Sequence, residues 1–112
     1  AGGLAVLSQL SDPQIADIFA RSDTRPFTPE TFTTLDQIME AVETTRQRGH
    51  AVAVSQLLRH EVALGVPITD GEKRPIGALH LAGSLEEHAA EEFSIRFGSL
   101  LQQAGHSLSG YR

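Results

Sequence analysis

The spacing of apolar residues changes period twice along this chain. In the first 50 residues they recur every three or four positions. Leu4 and Leu7 come first, then Ile15, Ile18 and Phe19, then Leu35, Ile38, Met39 and Val42. That is helical spacing. It predicts a short helix over Ala1–Leu10, a second from Ser11, and a third from Thr34 to Gly49. Ser11 precedes Asp12 and Pro13, residues that suit a first helical turn. Thr34 followed by Gln37 is a capping-box pair. Arg46 and Arg48 sit where cations favour a helix end, and Gly49 is a stop. His50 follows that end, where a cation is mildly favoured. Arg21–Thr33, with Pro26 and Pro29 among many hydroxyls, reads as a surface loop and as the candidate mobile segment. From His50 to Gly83 the period falls to two, which predicts strands at His50–Ser55, Glu61–Ile68 and Pro75–Gly83. Asp70–Arg74 reads as a hairpin loop between the last two. The helical period returns after Glu86 and Glu87 with Phe93, Phe97, Leu100, Leu101, Ala104 and Leu108. Tyr111 and Arg112 read as a frayed end.

Alternate side chains of a strand point to opposite faces. One face of the three strands carries Val52, Val54, Val62, Leu64, Val66, Ile68, Leu79 and Leu81. The other carries Ala51, Ala53, Ser55, Ala63, Gly65, Ala78, His80 and Ala82. A face of small residues leaves room, and one histidine within it is the kind of polar group that orients a small molecule. The same pattern also suits helices that approach the sheet closely. Both readings stand at this point.

The element order is three helices, three strands, one helix. Tight hairpins imply antiparallel pairing, so the expected fold is α+β, an α/β sandwich with helices on a small antiparallel sheet. Two open sheet edges suggest further strands, from upstream or from a partner. At 112 residues the chain makes one domain and not two. Fourteen acidic against nine basic residues, a net charge of −5, argue against this segment gripping a phosphate backbone itself. There is no cysteine, which excludes disulfides and thiolate metal sites and suits a cytoplasmic protein. No apolar run approaches the roughly 20 residues of a membrane span, and Ala1–Leu4 is not a signal peptide.

The order and spacing of several motifs resemble one family. "AGGLAVLSQLSDPQIADIF" resembles a small-residue turn into a helix followed by a polar-capped second helix. "LDQIMEAVETTRQRGHAV" resembles a long helix ending in Arg-x-x-Gly. "VALGVPITDGEKRPIGALHLAGSL" resembles paired strands around a variable turn, and "FGSLLQQAGHSLS" a closing helix. Together they are similar to the C-terminal effector-binding domain of IclR-type bacterial transcription regulators. The resemblance covers nearly the whole chain. It implies a GAF-like or PAS-like domain that binds a small metabolite, dimerises and forms tetramers. DNA would be contacted only by a winged helix-turn-helix absent from residues 1–112, which would form a single partial effector-binding domain.

The resemblance also implies a ligand site. Ala1 and Gly2 match a turn whose backbone amides hold an effector carboxylate, and the carboxylate is expected to sit at Gly2 and Gly3. Unpaired N–H groups at a helix start suit that role on physical grounds. Ala53 and Ala63 match contact positions that carry Asp and Cys in another member, and His80 and Ala82 match positions that are often Ser. Alanine at three of these four positions leaves His80 as the main polar side chain. The expected effector is therefore an aromatic or aliphatic carboxylic acid, larger or more apolar than glyoxylate or pyruvate. His60, Glu61 and Val62 depart from the Arg or Gly usual before position 63.

Other constellations are weaker. His88 and Glu92 have helical ligand spacing, but two ligands make no metal site, and neither a metal nor another cofactor is expected. His80 with Glu61 or Asp70 could form a base and its partner, yet Ser55 is the only nearby hydroxyl and no catalytic motif is present. The expectation is a ligand sensor rather than an enzyme. A ligand-free oligomerisation module is the alternative, with a small-molecule enzyme behind it.

Overall fold

The computed structural model describes residues 1–22, 31–56 and 58–109. Helices α1 (Gly2–Leu7), α2 (Asp12–Ala20) and α3 (Leu35–Arg48) precede strands β1 (Ala51–Val54), β2 (Glu61–Thr69) and β3 (Pro75–Ser84), and α4 (Ala90–Leu108) closes the chain. The strands form one antiparallel sheet in the order β1-β2-β3. The α+β arrangement expected from periodicity is present, with the same seven elements in the same order. The loop expected at Arg21–Thr33 falls largely outside the described residues, as do Tyr111 and Arg112.

The helix starts follow from local chemistry. Ser11 accepts from the backbone N–H of Gln14, whose side chain accepts in return from the Ser11 N–H at 2.9 Å. Thr34 and Gln37 repeat the arrangement at α3. Gly49 ends α3 in the left-handed region, at φ 94°, where a β-carbon would be strained. Arg46 spans the turn between the first two helices. Its guanidinium donates to the carbonyls of Ser8 (3.3 Å) and Leu10 (2.7 Å) and pairs with Asp12 (3.0 Å). A fork of donors satisfies carbonyls that the end of α1 leaves unpaired.

Val62 and Leu64 of β2 and Phe93 of α4 form the core on the large-residue face, with Val52, Leu85, Ala90, Phe97 and Leu101 packed around them. Gly83 and Gly105 let α4 lie close: a β-carbon would stand 2.7 Å from the Phe93 ring and 2.7 Å from Val66 Cγ2 respectively. Helix α1 lies across β2 and β3 on the opposite face and packs on α3.

Several boundaries and contacts differ from expectation. α1 stops at Leu7, and Ser8–Leu10 turn away. α4 starts at Ala90 rather than at Glu86 and Glu87, because the N–H groups of Glu87 and His88 fold back onto the Ser84 carbonyl. His88 thus precedes the helix, its ring tilted against Phe93 and edge-on to Phe97. On α4, Leu100 and Leu108 are exposed, at 62% and 45%. Close packing there goes through Phe93, Gly98, Leu101 and Gly105. Finally, β1 ends at Val54, and Ser55 turns into the left-handed region at φ 54°.

Candidate functional site

The sheet register brings the predicted residues together. Ala53, Ala63 and Ala82 are direct partners across the three strands, and so are Ala51, Gly65 and His80 in the next row. Pro67 and Ala78 face each other beyond them. Partners across a ladder point their side chains to the same face, so the small residues do form one surface with His80 in it. Ser55 does not belong to it. It has left the strand, and its hydroxyl accepts from the N–H of His60 at 3.3 Å.

Part of this surface is covered by a helix. A β-carbon on Gly65 would lie 2.5 Å from the carbonyl oxygen of Ala1, and one on Gly2 would lie 3.7 Å from the Ala78 methyl. Gly65 and Ala78 are thus the seat of α1. Ala53 and Ala63 are buried, at 6% and 3% exposure, while His80 and Ala82 are exposed. The accessible part of the face is its β3 side. Ala1 caps α1 with no side-chain hydrogen bond, so the first-turn N–H groups lack that partner. Gly3 is exposed, with open space where a β-carbon would stand.

A base-and-carboxylate pair at His80 is not assembled. Glu61 pairs with Ser84, four positions along the ladder from the Gly65–His80 pair, a separation of about 13 Å at strand rise. The Asp70 carboxylate is committed to its own turn. It accepts from the backbone N–H groups of Glu72 (2.8 Å) and Arg74 (2.9 Å) and from Arg74 Nε (2.9 Å). These hydrogen bonds, the Arg74 backbone first, hold its carboxyl below the usual range.

A second polar cluster lies on the other face of the sheet. His50 is buried immediately before β1. Its Nδ1 lies 2.7 Å from Gln102 Nε2 and its Nε2 lies 2.7 Å from Ser94 Oγ. Gln102 Nε2 also donates to the Arg48 carbonyl at 3.2 Å. That carbonyl can only accept, so the amide nitrogen is the donor here and Nδ1 must accept as well. The proton of the neutral ring is then on Nε2, which donates to Ser94. Burial first, and the nearby Arg48 charge second, push the imidazole pKa down. A helix end alone would favour a cation at His50; in the fold the ring is held neutral. The signal in the sequence is the stripe Ser94, Gly98, Gln102 at four-residue spacing, which periodicity alone does not single out. The middle residue must be glycine, because a β-carbon would stand 2.5 Å from His50 Cε1.

The family profile described as bacterial transcriptional regulator IclR C-terminal matches residues 1–110. The chain belongs to this family. Among relatives of this IclR C-terminal domain, the HTH-type transcriptional regulator XynR of Escherichia coli is 27% identical over 107 residues. That match covers 96% of this chain and 42% of XynR. The repressor BlcR of Agrobacterium tumefaciens superposes with a TM-score of 0.90 at 24% identity, over 99% of this chain and 46% of BlcR. The inducer-binding domain of PobR from Acinetobacter, solved as a double mutant with 3-hydroxybenzoic acid, superposes with a TM-score of 0.85 at 18% identity. That alignment covers 97% of this chain and 64% of the PobR chain. The IclR domain here therefore spans less than half the length of XynR and BlcR. These relatives are transcriptional regulators rather than enzymes. Among the described residues, no helix is long and apolar enough to cross a membrane.

Proposed function

We propose that this IclR C-terminal domain senses a small organic acid held on the small-residue face beside His80, and that occupancy changes the operator affinity of the complete regulator. The observation that carries the reading is the register. It sets the row Ala53–Ala63–Ala82 beside the row Ala51–Gly65–His80. The acid lies against the exposed Ala82 end of the first row, with the His80 imidazole as its polar contact and the backbone N–H groups of Gly2 and Gly3 facing its carboxylate. Ala1 contributes through its place at the start of α1. The PobR complex with a hydroxybenzoic acid supports this ligand class. With alanine at three of the four contact positions, the body of the acid is apolar, aromatic or aliphatic. Operator binding belongs to a DNA-binding segment outside this chain, and the acid acts through dimer and tetramer arrangement. To do so it must bind one arrangement better than the other.

The test is a thermal-shift screen of aliphatic and hydroxybenzoic acids, followed by calorimetry on any acid that raises the melting temperature and on the His80→Ala variant. Stabilisation by an acid that is not consumed, and weaker binding by a folded variant, support the sensor. No stabilisation across both acid classes would leave an oligomerisation module whose small face only seats helices.

A further inference from the structure

The large-residue side of the sheet carries a second concavity. It opens between β1, the end of α3 and the first half of α4, with a volume of about 720 Å³. Val52, Ala90 and Ile95 give it an apolar wall, and Arg48, Ser94 and Ser99 give it a polar one. Ile95 is 75% exposed, an aliphatic side chain left in water at the rim. The Arg48 guanidinium makes no ion pair with any described residue.

The His50 cluster forms the back of this concavity and gives it chemical direction. Gln102 fixes the ring so that Nε2 donates to Ser94 Oγ. The Ser94 oxygen is thereby used as an acceptor, and its own proton is left to donate. A hydroxyl that already accepts a hydrogen bond is a stronger donor. The concavity thus offers a guanidinium and a polarised O–H beside an apolar wall. Glu91 also lines it, and its negative charge weighs more heavily against a dianion than against a monoanion.

From this geometry we infer that the Arg48–Ser94 concavity is a binding site for an apolar monocarboxylate, on the opposite side of the sheet from His80. Arg48 and Ser94 take the carboxylate, and Val52, Ala90 and Ile95 take the alkyl or aryl body. Phosphate and dicarboxylates are selected against by Glu91. The site is independent of the sensor reading at His80, since the two share no residue.

Hexanoate is the probe, titrated into isotope-labelled protein while backbone amide resonances are followed. The amides of Ser94, Ser99 and Gln102 shift saturably, and hexanamide, which lacks the charge, binds at least tenfold more weakly. Arg48→Gln lowers the hexanoate affinity read at those amides at least tenfold, and Ser94→Ala lowers it in the same direction. His80→Ala leaves it unchanged. Equal binding of hexanamide, or an unchanged affinity in a folded Arg48→Gln protein, overturns the inference. Shifts confined to the His80 face also overturn it while sparing the sensor reading. Shifts confined to the Ser94 face support it and count against that reading.

Discussion

The carbonyl oxygen of Ala1 sits so close over Gly65 that a β-carbon on the glycine would stand 2.5 Å from it. The contact is backbone against backbone, so no side-chain rotation relieves it. It fixes the start of α1 in the same row as His80, the ladder partner of Gly65. Gly65→Ala is therefore expected to push α1 off the sheet. The loss should be about 1–3 kcal/mol, the usual range for overpacking, read as a lower midpoint in urea unfolding. An unchanged midpoint would mean that α1 is not held in this seat.

The alanine row separates binding from stability. Ala82 is exposed and Ala63 buried. Ala82→Leu should leave the melting temperature nearly unchanged and weaken binding of the organic acid at least tenfold. Ala63→Leu should lower the melting temperature whether or not acid is present. Calorimetry and thermal denaturation of both variants check this pair. Retained acid affinity in Ala82→Leu would move the ligand elsewhere.

Low pH should loosen the join between β1 and α4. The folded-state pKa of His50 is lowered from 6.5 by burial and by Arg48. The unfolded chain therefore takes up its proton first as pH falls. Stability is full above pH 6.5 and declines below it until the folded-state pKa is passed. Protonation at Nδ1 would also set an N–H against the Gln102 N–H donor. Urea unfolding at a series of pH values should show this decline, and it should be shallower in His50→Gln. Identical slopes in the two proteins would remove His50 as the cause. Asp70 acts in a separate window. Its carboxyl is lowered from 3.8, so its contribution is lost only below that value.

Gly3 offers the opposite outcome to Gly65. It lies inside α1, and nothing comes within 4 Å of the point where a β-carbon would stand. Gly3→Ala should stabilise the protein by about 0.5–1 kcal/mol, the helical preference for alanine over glycine. Chemical unfolding measures it, and destabilisation would show that the first turn of α1 is crowded.

Helix starts, strand alternation and the closing helix were legible because each rests on near neighbours in sequence. The Ser11 cap, Thr34 with Gln37 and the helix stop at Gly49 rest on contacts within one turn. The small-residue face was legible because strand alternation assigns faces before any pairing is known. The expected start of α4 at Glu86 failed because a turn onto the Ser84 carbonyl competes with helix there, and the competition is decided by where β3 ends. Leu100 fits the apolar stripe by spacing, yet the approach of α4 is set by Gly98 and Gly105. The His50 cluster was out of reach for a different reason. Its members are 44 and 52 residues apart in sequence, and none of them is unusual until the sheet and α4 bring them together.

Arg46 gives the helical layer a mechanical property. One planar group holds two carbonyls at the end of α1, the first acidic residue of α2 and its own helix α3. The turn between α1 and α2 therefore cannot flex as a free joint without breaking three donor contacts at once. A displacement of α1 that moves Ser8 and Leu10 breaks these contacts unless Arg46 and the end of α3 move with it. Lysine at this position would keep the charge and surrender the bracing.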